Sequence, residues 1–168
     1  YLYGIPQLAV NDITPELAER IAQSCPNVAG IKYSYPDMPR LLQFLNVRGG
    51  DFSVLAGPDD LFFSLLASGG DGTISGNSNV IPEHFVAIYQ AFQAGDYDKA
   101  RRLQAKTNRL ITYISGPNNM SRYKIGLKER GVIKCSAVRK PLRDLTPEEE
   151  HNYLEQIKSM DYLDITKF

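Results

Sequence analysis

Histidine and cysteine are scarce in this sequence, with two of each among 168 residues and none close to another. Cys25 and Cys135 lack metal-ligand spacing, and a chain of this size needs no disulfide to stabilise a core, so they read as reduced thiols of a cytoplasmic protein. His84 opens a helix pattern and His151 lies in a polar one. Neither has a partner in sequence, so both take packing or surface roles and no metal site is expected. Net charge is also missing. Nineteen basic residues balance nineteen acidic ones, which removes the electrostatic case for a nucleic-acid partner. No apolar run approaches the length of a membrane span, so no membrane partner is expected either. Low-complexity segments are absent, and repetition exists only as a strand-helix unit.

An opening turn is lacking too. The chain starts inside an aromatic strand pattern, Tyr1-Leu2-Tyr3-Gly4-Ile5, without an initiator methionine. That suggests the C-terminal part of something longer, whose targeting segment, if any, is out of sight.

What is present is an alternation. Strands are predicted at Tyr1 to Ile5, Val28 to Ser34, Phe52 to Ala56 and Gly72 to Ser75. Amphipathic stretches separate them, and each has a start signal: Thr14-Pro15-Glu16, Pro36-Asp37 and Pro58-Asp59-Asp60. Such an order is the mark of a parallel α/β architecture. After the fourth strand only helices follow. They are expected from Pro82 to about Ala94, Tyr97 to about Ile114, after the break Gly116-Pro117-Asn118-Asn119 to Arg130, and from Thr146-Pro147-Glu148-Glu149 to about Met160. Four βα units can form an open doubly wound sheet or half of an eight-stranded barrel. A doubly wound nucleotide fold usually has a Gly-rich turn after its first strand, and here Gly4-Ile5-Pro6-Gln7 stands instead. On the barrel alternative the division is residues 1–94 as half of a (β/α)8 barrel and residues 95–168 as a helical region packed on it.

Lys32 ends the apolar run Val28-Ala29-Gly30-Ile31. Burying an ammonium is expensive, and a lysine kept neutral to avoid that cost becomes a nucleophile towards carbonyl carbon. In its bland role such a lysine snorkels to solvent or pairs with a carboxylate. Strand alternation puts Gly30, Lys32 and Ser34 on one face and Ile31 and Tyr33 on the other. Tyr1 and Tyr3 share a face on the neighbouring strand. In a barrel, ligand chemistry gathers at the C-terminal strand ends, where Tyr3, Lys32, Ser34, Gly57, Asp59 and Ser75 fall. Gly69-Gly70-Asp71-Gly72 could cradle a phosphate, but a strand follows it, so a turn is favoured. Gly76-Asn77-Ser78-Asn79 is balanced between substrate contact and turn chemistry.

The ordered set Tyr3-Gly4-Ile5-Pro6, Gly30-Ile31-Lys32-Tyr33-Ser34, Ala56-Gly57-Pro58-Asp59-Asp60 and Gly72-Thr73-Ile74-Ser75 resembles the C-terminal half of the dihydrodipicolinate synthase/N-acetylneuraminate lyase family. The likeness extends to Arg139-Lys140-Pro141-Leu142 before the last helix. These are class I aldolases on a TIM (β/α)8 barrel, so the resemblance implies strands five to eight followed by a C-terminal helical extension. It further implies that Lys32 forms a Schiff base with pyruvate and that Tyr3 relays protons. Ser34 matches a threonine or serine near the substrate, and Gly57 and Ile74 match backbone positions of the pyruvate pocket. Asp59 and Asp60 match positions used on sugar-acid hydroxyls, and Ser75 and Asn77 join the substrate-binding set. The synthase branch carries an arginine two residues after the proline of its first motif, to hold a second carboxylate. Here that place is Leu8, which resembles the sialic acid lyase and 2-keto-3-deoxygluconate aldolase branches. The Gly-Thr-Thr-Gly-Glu segment that grips the pyruvate carboxylate is not in this sequence.

The expected function is reversible cleavage of a 2-keto-3-deoxy sugar acid to pyruvate and an aldehyde. No cofactor is expected beyond the covalent lysine imine, and the expected assembly is a homo-oligomer, dimer or tetramer. The alternatives are dihydrodipicolinate synthase, or a barrel that binds a keto acid without catalysis.

Overall fold

A computed structural model describes residues 1–166. The chain forms two compact units, residues 1–75 and 76–168.

In the first unit the strands are β1 (Leu2–Gly4), β2 (Gly30–Tyr33), β3 (Ser53–Ala56) and β4 (Gly72–Thr73). They form one parallel sheet in sequential order. The connections carry α1 (Pro6–Ala9), α2 (Pro15–Ser24), α3 (Met38–Phe44) and α4 (Phe62–Ala67). Two of the three start signals cap their helices, while Pro58-Asp59-Asp60 runs into a 3-10 turn and α4 starts at Phe62 from Leu61 without a side-chain cap. The Thr14 hydroxyl accepts from the Leu17 amide and the Asp37 carboxylate accepts from the Arg40 amide, each cap contributing about 1 kcal/mol. Strand alternation then sorts the sheet. Ile31, Tyr33, Val54 and Ala56 are buried with Ala18, Ala22, Leu41, Phe44 and Leu65 in one core. Each large apolar side chain in it gives about 1.5–3 kcal/mol of burial. Tyr33 stacks at a tilt on Phe44, with ring centroids 5.2 Å apart. Its hydroxyl donates to Asp12, which also pairs with Arg40 at 2.9 Å.

Two elements differ from expectation. The β4 ladder stops at Thr73, leaving Ser75 outside it, because β4 pairs on one side only and the chain turns into a 3-10 segment at Asn77–Asn79. The single turn α1 has too few residues for a hydrophobic period to announce it. Pro6 sets its first residue, and Val10 closes it in the left-handed region at φ 64°, an uncommon place for a β-branched residue.

The second unit contains α5 (Pro82–Gln93), α6 (Tyr97–Ile114), α7 (Asn119–Glu129) and α8 (Pro147–Ser159). Gly95 separates α5 from α6 at φ 76°, a left-handed turn that suits glycine. A full capping box starts α8: Thr146 accepts from the Glu149 amide, and the Glu149 carboxylate accepts from the Thr146 amide. His84 is wholly buried, with Nε2 2.7 Å from the Tyr162 carbonyl. Lys106 on α6 is also buried and donates to the Asp164 carbonyl. These contacts fasten the segment after α8 onto α5 and α6. Cys25 and Cys135 are free and exposed.

Candidate active site

Tyr3 on β1 is in register with Lys32 on β2, which is in register with Leu55 on β3. In a parallel ladder register partners point to the same side, so these residues form one layer on the sheet face opposite the core. Ser34, Gly57 and Ile74 follow one layer closer to the C-terminal strand ends. Lys32 Nζ lies 4.2 Å from the centroid of the Tyr3 ring. Two residues 29 positions apart in sequence therefore meet because the sheet places neighbouring strands side by side.

Lys32 is the least buried residue of β2. The apolar character of its strand belongs to Ile31 and Tyr33, whose side chains enter the core beneath. On the lysine face Tyr1, Tyr3 and Ile74 are 66%, 53% and 48% exposed, so the described residues supply a floor for the site rather than an enclosed pocket. The larger concave sites among the described residues lie elsewhere. One of about 510 Å³ is lined by Tyr1, Arg48, Asp51 and Asp71 at the N-terminal strand ends, and one of about 390 Å³ is lined by residues of α5 and α6 with Ile165 and Thr166.

The Tyr3 phenol is held below the usual tyrosine range. The first cause is a hydrogen bond with the Ser34 side chain, which partial burial opposes, followed by a hydrogen bond with Lys32 and its positive charge. A phenol between a hydroxyl and an amine can accept a proton and return it, which is the behaviour general acid-base catalysis needs. Ser34 sits close against Gly57. A Cβ at Gly57 would collide with the serine's Cα and hydroxyl, so only glycine fits there.

Of the other expected site residues, Asp59 and Asp60 lie in a 3-10 turn, Asp59–Leu61, just past β3. Asp59 is half-buried and Asp60 exposed. Ser75 is buried at the end of the first unit. Asn77 belongs to the second unit, where its Oδ1 accepts from the Ser115 hydroxyl at 2.9 Å. That bond ties it to Ser115 at the end of α6, 38 positions away. The unit boundary leaves Tyr3, Lys32, Ser34, Gly57 and Ile74 as the set the sheet itself assembles.

Sequence reading missed Gln7. Its Nε2 donates to the Ser34 carbonyl at 2.7 Å. It also missed the Asp12–Arg40–Tyr33 group under the sheet. The signal for Gln7 was Pro6, which cannot donate to a neighbouring strand.

The lysine-tyrosine pair on adjacent parallel strands coincides with a match to the family model described as the dihydrodipicolinate synthetase family, over residues 1–160. The chain belongs to the dihydrodipicolinate synthetase family. A 4-hydroxy-tetrahydrodipicolinate synthase from Chlorobium phaeobacteroides is 30% identical over 159 residues, 95% of this chain and 53% of that protein. A prophage protein of the dihydrodipicolinic acid synthase family from E. coli K12, solved in complex with pyruvate, superposes with a TM-score of 0.86. It is 27% identical over 96% of this chain and 55% of the other. A 2-keto-3-deoxygluconate aldolase from Sulfolobus superposes with a TM-score of 0.85 over 96% of this chain and 53% of that one. At 23% identity that likeness concerns the fold alone. The chain spans about half the length of the curated relatives it matches. Members of the family are pyruvate-dependent lyases and synthases that form a lysine imine. No helix among the described residues is long and apolar enough to cross a membrane.

Proposed function

We propose that this chain carries the nucleophile and the acid-base group of a pyruvate-dependent class I aldolase, with Lys32 as the imine-forming amine and Tyr3 as the proton relay. The observation that carries this reading is the register pair Tyr3–Lys32, with the amine 4.2 Å from the ring. In the reaction, neutral Lys32 Nζ adds to C2 of the keto acid and water leaves as the protonated imine forms. That cation is an electron sink for breaking the bond between C3 and C4. Tyr3 takes the proton from the C4 hydroxyl, and the aldehyde departs. The enamine left on Lys32 is protonated at C3, and hydrolysis releases pyruvate and the free amine.

In this reading residues 1–94 are the C-terminal half of a (β/α)8 barrel, strands five to eight, and residues 95–168 its helical extension. Ser34, Gly57, Ile74 and Ser75 line the keto acid side. Asp59 and Asp60 face the aldehyde portion. The assembly is a cytoplasmic homo-oligomer that needs no cofactor beyond the imine.

The substrate is a 2-keto-3-deoxy sugar acid. At the position where the synthase branch holds a second carboxylate with arginine stands Leu8, exposed in α1. A leucine makes no charged hydrogen bond, and each one lost costs roughly 1.5–3 kcal/mol. The rival reading, condensation of pyruvate with aspartate semialdehyde, draws support from relatives named 4-hydroxy-tetrahydrodipicolinate synthase at 28–34% identity. Side-by-side kinetics on the full-length protein separate the two. We expect cleavage of a 2-keto-3-deoxygluconate-like acid to exceed semialdehyde condensation by at least ~10²-fold in kcat/KM. Efficient condensation would reverse the assignment.

A further inference from the structure

Neighbouring parallel strands exchange slanted hydrogen bonds in which a residue donates to one position of its partner and accepts from the position two further on. At the end of β2 the Ser34 amide donates to the Gly4 carbonyl at 2.7 Å. The same pattern would have the amide of residue 6 donate back to the Ser34 carbonyl. Residue 6 is proline and has no N–H. The Gln7 carboxamide makes up the loss with its 2.7 Å bond from Nε2. Ser34 is thereby held on three sides, by Gly4 on its amide, by Gln7 on its carbonyl, and by the missing side chain of Gly57 beside its hydroxyl.

We propose that Gln7 is a positioning residue for Tyr3, acting through Ser34: its carboxamide completes the rung that Pro6 cannot make and so fixes the serine that stands one layer beyond the Tyr3–Lys32 pair on the same sheet face. This inference rests on the aldolase reading above. Gln7 is exposed, and α1 closes by main-chain bonds from Leu8, Ala9 and Val10 without its side chain. Losing the carboxamide therefore leaves the turn and the sheet in place. It frees the end of β2, so that the Ser34 hydroxyl no longer stays on the phenol and Tyr3 drifts towards an ordinary tyrosine.

The test uses the full-length protein in four forms: unaltered, Gln7→Met, Ser34→Ala, and both together. Gln7→Met keeps the length and apolar stem of the side chain and removes the donor. We expect Gln7→Met to lower kcat roughly 5- to 20-fold with KM nearly unchanged, a fraction of the full worth of an acid-base group, and Ser34→Ala, which also alters the keto acid side, to lower kcat at least as far. The double variant should be no slower than Ser34→Ala alone, because the two act in series. Independently, the Tyr3 phenol is titrated by 13C-tyrosine NMR, its signal assigned by loss in Tyr3→Phe. Gln7→Met should move that titration upward, to where Ser34→Ala moves it. Multiplying losses in the double variant, or a Tyr3 titration unmoved by Gln7→Met, would overturn the proposal. The titration needs no turnover, so it separates the two claims. A shifted Tyr3 in a protein that forms no pyruvate adduct refutes the aldolase reading alone, and an adduct with an unmoved Tyr3 refutes the Gln7 role alone.

Discussion

At the scale of single residues, the site depends on which way a side chain points from a strand. Ile31 and Tyr33 enter the core, and Lys32 between them must face the other way, where Tyr3 from β1 meets it. The apolar run in the sequence therefore marked the strand and not the surroundings of the lysine. It made Lys32 stand out, while the pairing with Tyr3 became legible only once the parallel order of the strands was fixed. Removing the Tyr3 hydroxyl isolates its contribution. Tyr3→Phe keeps a ring beside Lys32, so the fold should persist and kcat should fall roughly 10²- to 10⁴-fold, the usual worth of general acid-base catalysis. Steady-state kinetics with circular dichroism as the fold control measure this. Turnover close to the unaltered level would assign the proton to another group.

At the scale of elements, start signals were readable because they are local chemistry. Thr14, Asp37 and Thr146 each cap the helix that their sequence announces. What escaped were α1, with too few residues for a period, and the contacts that join distant segments. The buried pair formed by His84 and the Tyr162 carbonyl spans 78 positions, a separation at which sequence carries no pattern. It has a measurable consequence. Nε2 must carry the proton to donate to that carbonyl, and Nδ1 is buried without a partner among the described residues. Burial, first, depresses the His84 pKa. The Tyr162 carbonyl opposes this, Lys106 on α6 adds to it, and Glu83 and Asp164 oppose it. A histidine whose folded pKa is depressed takes up a proton more readily when unfolded. Stability should therefore be fullest above the ordinary histidine pKa, ~6.5, and fall as pH drops from there towards the lowered folded value. Urea unfolding between pH 7.5 and 5 should show this decline, and His84→Gln, which keeps a donor but cannot titrate, should flatten it. An unchanged slope in the variant would place the acid sensitivity elsewhere.

At the scale of the whole molecule, the parallel order and the run of helices were both evident from pattern alone. The ordered motifs already resembled half of a known family, and the chain spans about half the length of the curated relatives it matches. Four parallel strands have two edges, and the face bearing Tyr3 and Lys32 exposes Tyr1, Tyr3 and Ile74. The proposed function comes down to one chemical event, a covalent bond between Lys32 Nζ and the keto carbon of pyruvate. The most direct test treats the full-length protein with pyruvate and borohydride, then weighs it and maps the modified peptide. The account predicts a single reduced pyruvyl adduct on Lys32, absent in Lys32→Ala. No adduct, or one that survives Lys32→Ala, would contradict it.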